Sequence, residues 1–290
     1  MDSMKGKDEC FFFDNAYACY TTTAPVIAKS MTAENQYSTL DFARAPSLLE
    51  VAKAAGYHTT WLSNQVRYSA WDNLNTVIAE GADVHIWTNS HLGETLISDY
   101  TDGVLVDKLR ELPKDGDRLI VIHLMGSHNS YQDRYPGEFA RFSGGKQTVD
   151  EYDGSILYTD YVLQKIYEEA SALPNFQGMI YFSDHGEGVD HGRFHGTSHF
   201  IWQMARIPLF IVVSPSYAAA RPSVCARLRE HSHSTFTNDL IFDLMLGMMG
   251  LKAEEISEDR NNLTSAGYDE NRERFMTLNG KKYISEDDGE

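Results

Sequence analysis

Short apolar runs alternate with longer amphipathic segments along most of the chain. Six short apolar runs predict buried strands. They read CFFFDNAYA, HTTWLS, DVHIW, RLIVIHL, GMIYFS and IPLFIVVS. Alternation of such strands with helices predicts an α/β fold in which a mostly parallel sheet is covered by helices on both faces. Ligands of such sheets gather beyond the carboxyl ends of the strands.

Four segments carry apolar residues at helical spacing and predict helices. They read APSLLEVAKAAG, YTDGVLVDKLRELP, TVDEYDGSILYTDYVLQKIYEEASALP and STFTNDLIFDLMLGMMG. The first is expected to end at Gly56, a natural helix stop, and the second before Pro113. Ser234 or Thr235 is the expected N-cap of the fourth, because a short hydroxyl side chain accepts hydrogen bonds from free helix amides.

The C-terminal segment differs in composition from the rest. From about Lys252 the chain becomes polar and acidic, and it reads as a solvated surface segment. Within it, ERFMTLNGKKYI predicts a hairpin around Asn279 and Gly280, a dipeptide that favours tight turns. We therefore expect one main domain over residues 1–251 and a polar segment over residues 252–290.

Composition narrows the classes of partner and of site. The chain has 290 residues, 42% hydrophobic content and a formal net charge of −17. This charge argues against a nucleic-acid partner, which would need a basic face. Cys10, Cys19 and Cys225 include no CxxC pair, so they predict no cysteine-rich zinc site and allow at most one disulfide. The sequence has no apolar stretch of about eighteen residues that would span a membrane, and its start lacks the apolar middle of a secretion signal.

The segment YFSDHGEGVDHGRFHGTSHF, which overlaps the strand GMIYFS, concentrates metal-binding side chains. Asp184 and His185 stand at the strand end, where a carboxylate oxygen and an imidazole nitrogen suit a divalent transition metal, with zinc first. Gly186 allows a sharp backbone turn after them. Three further histidines follow on a glycine-rich loop that can fold back over the same edge: His191, His195 and His199. The pattern predicts a metal or phosphate site.

Two other predicted strands deliver polar groups at their ends. RLIVIHL leads to His123, interpreted as a hydrogen-bonded structural histidine, and to His128 on the following loop, the better candidate for a ligand or substrate contact. Arg134 is open between binding an anion and a structural salt bridge. After FFFDNAYACY come three threonines, 21–23, and a helix-like APVIAKSM. One interpretation is that these threonines form a turn or a helix cap. The other is that one of them is a nucleophile, because a nearby metal and a helix N-terminus both favour its alkoxide form.

In their order along the chain, these motifs resemble bacterial phosphoethanolamine transferases, of the sulfatase-like branch of the alkaline phosphatase superfamily. The resemblance rests on NAYACYTTTAP, MTAEN, WLSNQ, HLMGSHNSYQDRYPGEF, YDGSILYTDYVL, YFSDHGE and HG. It runs from about Phe11 to Leu251. It implies an alkaline-phosphatase-like, three-layer α/β/α sandwich on the periplasmic side of the bacterial inner membrane.

The resemblance also implies a reaction. A threonine attacks the phosphorus of phosphatidylethanolamine and forms a phosphoethanolamine-threonine intermediate. A sugar or lipid A phosphate of the cell envelope then accepts the group. The threonine is placed best at Thr23, because its distance to the downstream MT (Met31 and Thr32) fits, and Thr22 is the alternative.

The same resemblance assigns the remaining site residues. Zinc is held by Thr23, Asp184 and His185, as one ion with room for a second beside the other histidines. The histidines on the substrate side correspond to His128 and His195. His195 is expected to hold the phosphate or to protonate a leaving oxygen.

Two features of the family are absent from this sequence. The metal-binding glutamate of the family stands in a GES-like motif upstream of the threonine, and Glu9 lies too close to the threonine strand to replace it. The membrane-embedded N-terminal region is also missing. The sequence therefore reads as an N-terminally truncated form with one metal ligand too few and poor activity. Asn64 of WLSNQ matches the family without an assigned role.

Other interpretations stay open. Another hydrolase of the same superfamily, a sulfatase or a phosphodiesterase, is a close competitor. A phosphoglycerol transferase uses the same threonine chemistry, and an inactive truncated remnant would keep the fold alone. A classical sulfatase is argued against, because Cys19 is followed by YTTT and not by the rest of a C/S-x-P-x-R motif. The motifs do not identify the acceptor.

Overall fold

The computed structural model describes residues 9–68, 73–91, 98–253 and 255–289. The expectation of no secretion signal concerns the start of the sequence, and the first eight residues lie outside the described ranges. The strands are β1 (Cys10–Phe13), β2 (Ala16–Tyr17), β3 (His58–Val66), β4 (Val84–Asn89), β5 (Arg118–His123), β6 (Gly178–Phe182), β7 (Leu209–Val213), β8 (Phe236–Thr237), β9 (Met276–Thr277) and β10 (Lys282–Tyr283). The helices are α1 (Thr23–Ser30), α2 (Leu48–Ala54), α3 (Asn73–Glu80), α4 (Gly103–Glu111), α5 (Gln147–Ser171), α6 (Pro215–Ala220), α7 (Pro222–Glu230) and α8 (Ile241–Met249).

The chain divides into two compact units. The first unit comprises Ala52–Phe176 and Val189–Gly192. The second unit comprises residues 9–51, Gln177–Gly188 and residues 193–289. Each of the six apolar runs of the sequence overlaps at least one strand of these units.

The first unit is built on a three-stranded parallel sheet with the order β4–β3–β5. The central strand β3 pairs with both neighbours, and Leu62 lies opposite Ile86 and Ile122. Trp61 and Leu62 are almost completely buried, as expected for a strand whose two faces are both covered. Helix α4 contacts both β3 and α5.

The second unit contains a three-stranded sheet with the order β1–β7–β6, in which β7 runs antiparallel to both neighbours. All five residues of β7 are buried, which explains its continuous apolar run. The unit also has a parallel pair, β2 with β8, and an antiparallel pair, β9 with β10. The predicted α/β class is confirmed. The direction of β7 was not readable, because buried strands give the same apolar run in either direction.

The four predicted helices are present as α2, α4, α5 and α8, with one error at a helix start. Ser234 and Thr235 do not cap α8, which begins at Ile241. Phe236 and Thr237, which follow Thr235, form β8 instead. The pairing of β8 with β2 keeps the chain extended where a helix was expected. The Oγ1 of Thr235 accepts a hydrogen bond from Asn15 Nδ2 at 3.1 Å, and not from a helix amide.

The C-terminal segment is packed, which corrects the expectation of a solvated segment. Leu263, Phe275 and Ile284 are fully buried in the hydrophobic core of the second unit. Strands β9 and β10 form an antiparallel pair. In the turn between them, Asn279 and Gly280 have φ of +55° and +79°, left-handed values that asparagine and glycine tolerate best.

Two expectations about covalent and membrane features are answered by the described residues. None of Cys10, Cys19 and Cys225 is in a disulfide, so the one disulfide that the sequence allowed is not formed. Among the helices of the described ranges, none is both long and apolar enough to cross a membrane.

Candidate active site

The segment after β6 presents Asp184 and His185 at the end of the strand, and its path depends on Gly186. A Cβ atom at Gly186 would lie 2.2 Å from the carbonyl oxygen of Gln203 and 2.9 Å from that of Arg206. Such distances to backbone atoms are sterically excluded. The sequence suggested that Gly186 serves a sharp turn, whereas the structure shows that glycine is needed for a close approach of two backbone segments.

Thr23 is the first residue of α1, and its side chain reaches Asp184. Thr23 Oγ1 donates a hydrogen bond to Asp184 Oδ2 at 2.6 Å, a short bond to a carboxylate of the charge-assisted type. Thr22 is the N-cap of α1, and its side chain makes no capping hydrogen bond. Thr21 is fully buried. Thr23 is therefore the threonine whose hydroxyl contacts the predicted metal-binding carboxylate.

His185 connects this pair to a second carboxylate and a second imidazole. Its Nε2 lies 3.5 Å from Asp184 Oδ2, and its ring centroid lies 4.4 Å from that of His195. His195 Nδ1 lies 2.7 Å from Glu187 Oε1. Thr23, Asp184, His185, Glu187 and His195 thus form one continuous cluster, the threonine–histidine cluster, within the second unit.

Glu187 is the candidate that the sequence reasoning missed. It stands two residues after His185 in YFSDHGE, but a loop glutamate is most often solvated. Here its side chain is only 6% exposed. Within the described part of the chain, its Oε2 is buried and has no hydrogen-bond partner. Leaving a buried carboxylate oxygen unpaired is costly, and a bound cation would remove that cost.

The chemistry of the threonine–histidine cluster fits a divalent metal. Ligand atoms of His185, Glu187 and His195 lie within 4.8 Å of one another, and Asp184 adjoins them through His185. Imidazole nitrogens and carboxylate oxygens are ligands that zinc takes in proteins. The unpaired Oε2 of Glu187 and this set of donors are therefore compatible with zinc.

The surroundings of His195 favour its protonated form. Burial by itself would lower the pKa of this imidazole, because it disfavours the charged form. The hydrogen bond and the negative charge of Glu187, together with the charge of Asp184, outweigh burial and raise the pKa of His195 above its ordinary value.

The residues predicted from RLIVIHL and the loop after it lie in the first unit. The carbonyl oxygen of His128, on the loop after β5, accepts a hydrogen bond from Arg134 Nε at 3.2 Å. Arg134 is buried and also donates to the carbonyl of Asn129, contacts that give it a structural part in this loop. His123 Nδ1 lies 3.2 Å from Ser63 Oγ, as expected of a hydrogen-bonded structural histidine.

Asn64, which the sequence left without a role, belongs to a buried network beside the same loop. Its Nδ2 donates to Asp102 Oδ1 at 2.9 Å. Asp102 also accepts hydrogen bonds from the amides of Met125 at 2.9 Å and Gly126 at 2.8 Å. Burial raises the pKa of Asp102 in spite of these hydrogen bonds. A buried carboxylate therefore anchors the loop that carries His128.

The remaining two histidines of the glycine-rich loop are not part of the threonine–histidine cluster. His191 and His199 are exposed and lie in separate short 3₁₀ turns. His199 Nδ1 lies 3.0 Å from Ser198 Oγ. Among the residues that the structure describes, the one group of three or more potential metal ligands contains neither of them and does not contain His128. A second ion at these histidines stays a prediction.

Comparison with known sequences identifies the family and two similar proteins. A family model described as Sulfatase matches residues 1–251. Phosphoethanolamine transferase EptC of Escherichia coli is 27% identical over 229 residues, which cover 72% of this chain and 39% of that protein. Phosphoethanolamine transferase EptA of Salmonella typhimurium is 26% identical over 274 residues, which cover 85% of this chain and 48% of that protein. The chain thus spans less than half the length of these relatives.

Comparison with solved structures tests the fold. The zinc complex of the C-terminal periplasmic domain of EptC from Escherichia coli has a TM-score of 0.84 at 23% identity, covering 97% of this chain and 82% of that one. The soluble domain of lipooligosaccharide phosphoethanolamine transferase A from Neisseria meningitidis has a TM-score of 0.74 at 20% identity, covering 90% and 83%. These likenesses confirm the expected alkaline-phosphatase-like α/β fold.

Proposed function

The chain belongs to the sulfatase family, and on this premise we propose that it is the catalytic domain of a phosphoethanolamine transferase. Its donor is phosphatidylethanolamine, and its acceptor is a glycan or lipid A of the cell envelope. The relatives support the transferase reading. The observation that carries the proposal is the 2.6 Å hydrogen bond from Thr23 Oγ1 to Asp184 Oδ2. It sets a hydroxyl at a helix N-terminus against a carboxylate that can orient it.

In the first displacement, Thr23 Oγ1 attacks the phosphorus of the donor in line with the leaving oxygen. The Oγ1–P bond forms while the bond from phosphorus to the diacylglycerol oxygen breaks. The hydroxyl proton points at Asp184 Oδ2 in the resting structure, so this carboxylate is the group in place to receive it. The leaving oxygen takes up a proton and departs as diacylglycerol. Because Thr23 begins α1, the helix dipole also favours negative charge at Oγ1.

We assign the metal of this reaction as zinc. Thr23, Asp184 and His185 would hold it, and Glu187 and His195 offer further ligands beside them. When bound, zinc supplies a lowered pKa for a coordinated hydroxyl and stabilises charge on the transferring phosphoryl group. The buried and unpaired Oε2 of Glu187 supports a cation at this place.

Two histidines would serve the substrate. His195 lies beside His185 in the threonine–histidine cluster and can hold the phosphate or protonate the leaving oxygen. The resemblance assigns His128 to substrate binding as well. The loop that carries His128 is anchored by the hydrogen bonds that the amides of Met125 and Gly126 donate to Asp102. This arrangement would keep a substrate-binding side chain in one position.

The second displacement restores the enzyme. An oxygen of the acceptor attacks the phosphorus of phosphoethanolamine-threonine, the P–O bond to Thr23 breaks, and Thr23 Oγ1 regains a proton. The acceptors named above lie in the bacterial envelope. We therefore place the catalytic domain, proposed at residues 1–251, on the periplasmic side of the inner membrane.

Sulfate ester hydrolysis is a poorer reading of this site. Classical sulfatases act through a modified cysteine or serine, and Cys19 is the cysteine before the threonine run. Cys19 is fully buried, and burial raises the pKa of its thiol well above the ordinary value. A buried and protonated thiol is a poor nucleophile in the folded protein.

The proposal is tested by trapping the intermediate. The purified chain is loaded with zinc and incubated with vesicles of phosphatidylethanolamine, and in a parallel arm with vesicles of phosphatidylglycerol. Peptides that cover residues 16–29 are then analysed by mass spectrometry. A phosphoethanolamine adduct on Thr23 from the first vesicles supports the proposal.

The other outcomes contradict it in different ways. An adduct on Thr22 moves the nucleophile by one residue. An adduct from phosphatidylglycerol alone makes the protein a phosphoglycerol transferase. A zinc-loaded chain that forms no adduct with either lipid is the inactive remnant.

A further inference from the structure

Asn238 lies fully buried directly after β8, outside the threonine–histidine cluster. Its side chain makes three hydrogen bonds to backbone groups. The Oδ1 accepts a bond from the Cys19 amide at 2.9 Å. The Nδ2 donates to the Asp184 carbonyl at 2.8 Å and to the Ser183 carbonyl at 3.2 Å. One amide side chain thus joins the segment that leads to Thr23 and the segment that carries Asp184.

Both ends of this bridge are close in sequence to the reacting groups. Cys19 precedes Thr23 by four positions, and Asp184 is itself the acceptor of the Thr23 hydroxyl. The Thr23 segment is also held from elsewhere, because the Ala18 amide donates to the Ala205 carbonyl at 2.7 Å and Thr277 Oγ1 donates to the Ala18 carbonyl at 2.8 Å. Asn238 belongs to neither segment and bonds directly to both.

The chemistry of the bridge requires an amide. The side chain must accept from one N–H group and donate to two carbonyl groups at once, which asparagine can do. Aspartate has the same shape, but one of its oxygens would face the carbonyls of Ser183 and Asp184 without a proton to share. Leucine has a similar size and would remove all three bonds.

We propose that Asn238 is a positioning residue that sets the separation of Thr23 and Asp184. This inference rests on the proposed function, since it assigns a task within the same site. Asn238 does not touch the substrate. It acts by fixing the two backbone segments whose side chains react, so that the Thr23 hydroxyl is held in attacking position.

The test uses Asn238→Asp and Asn238→Leu in the zinc-loaded chain, with Tyr217→Phe as the matched control. Tyr217 is buried in the same unit, and its hydroxyl donates to the Met248 carbonyl at 2.7 Å, a group in neither segment. The rate of adduct formation is measured against the concentration of phosphatidylethanolamine in vesicles. Hydrogen exchange of peptides covering residues 16–23 and 183–187 is followed in the same samples, with and without zinc.

Both Asn238 variants are expected to lose about 10- to 100-fold in the saturated rate of adduct formation, the scale on which small misplacements act. The donor concentration at half-saturation is expected to change less than about twofold, because the groups that bind the donor are untouched. Exchange should rise in both peptides. Tyr217→Phe should lower the melting temperature while keeping the saturated rate and the exchange of both peptides.

The outcomes separate this inference from the proposed function. If wild-type protein forms the adduct and the Asn238 variants match its saturated rate, the positioning role is wrong and the function stands. If wild-type protein forms no adduct, the function fails, and the exchange data still report on the bridge. Should a variant not fold, slow exchange at Cys19 in wild-type protein supports the bridge, and fast exchange there overturns it.

Discussion

Thr23 and Asp184 lie 161 positions apart along the chain, yet the hydroxyl of Thr23 donates to the carboxylate of Asp184 at 2.6 Å. The contact joins the start of α1 to the segment that follows β6. Both side chains are half-buried at this contact. The contact indicates a reactive site because it adjoins His185, which forms a group of potential metal ligands with Glu187 and His195.

Removal of the Thr23 hydroxyl should abolish adduct formation. Thr23→Ala is expected to lower the rate at least about 10³-fold, because no other group replaces a lost nucleophile. Thr23→Ser keeps a hydroxyl and should retain part of the rate. Thr22→Ala is the matched control and should react at close to the wild-type rate. Single-turnover mass spectrometry checks all three, and a Thr23→Ala protein with the rate of wild type would refute the assignment.

Gly186 should tolerate no side chain. Gly186→Ala places a Cβ against the carbonyls of Gln203 and Arg206, and we expect a loss of about 1–3 kcal/mol in the free energy of unfolding from this overpacking. Gly137→Ala is the control, because a Cβ there has no atom within 4 Å. Its effect should stay within about 0.5 kcal/mol. Urea unfolding measures both, and equal effects would contradict the close approach at Gly186.

Sequence reasoning recovered most strands and the strand-end position of the site. The apolar runs mark β1 and β3–β7, although only β3 and β7 are buried along most of their length and β4, β5 and β6 are largely half-buried. The packing of the C-terminal segment was not recovered, because Leu263, Phe275 and Ile284 are isolated apolar residues in a polar stretch and show no periodicity. Side chains of this kind are recognised as core only when distant segments are seen to enclose them.

The site was recovered in part for a similar reason. Asp184 and His185 follow a strand, so their position can be read from the local pattern. Thr23 was selected among three threonines by resemblance alone, since its contact with Asp184 is long-range. Glu187 was not predicted as a site residue, because its burial depends on how the segment after β6 folds back towards His195. Asn238 carries no motif, and only its three hydrogen bonds identify it.

Glu187 should contribute to metal affinity. Glu187→Gln removes a buried negative charge beside His195, and we expect zinc to bind about 10- to 100-fold more weakly, the usual effect of changing a carboxylate in or beside a metal site. Glu138→Gln makes the same change of charge at an exposed residue and should leave the affinity unchanged. Competition with a chelating dye measures the dissociation constants. A Glu187→Gln protein that binds zinc like wild type would remove Glu187 from the site.

Asp243 should make the stability of the protein depend on pH. Burial raises the pKa of its carboxyl from 3.8 to about 6, while the unfolded chain keeps the ordinary value. Between these values the folded state binds more protons, so the free energy of unfolding falls as pH rises from about 4 to about 6, by up to about 3 kcal/mol. The loss is nearly complete about one pH unit above the pKa of the folded state.

Asp243→Asn should remove that dependence. The amide oxygen can still accept the bonds that Ser257 Oγ and the Glu258 amide donate to Asp243 Oδ1. The free energy of unfolding of the variant, minus that of wild type, should therefore be larger at pH 7.5 than at pH 4.5. Urea unfolding of both proteins at the two pH values measures this difference. The same difference in stability at both pH values would show that Asp243 does not titrate as described.

The proposed reaction requires Thr23 to share one cation with Asp184 and His185. Crystals of the protein grown with zinc, and measured on both sides of the zinc absorption edge, locate that ion. We expect an anomalous peak for a zinc ion that lies about 2.0–2.2 Å from Thr23 Oγ1, Asp184 and His185, the usual range for zinc with oxygen and nitrogen ligands. Zinc bound only by His185, Glu187 and His195, with the Thr23 hydroxyl outside bonding distance, would contradict it.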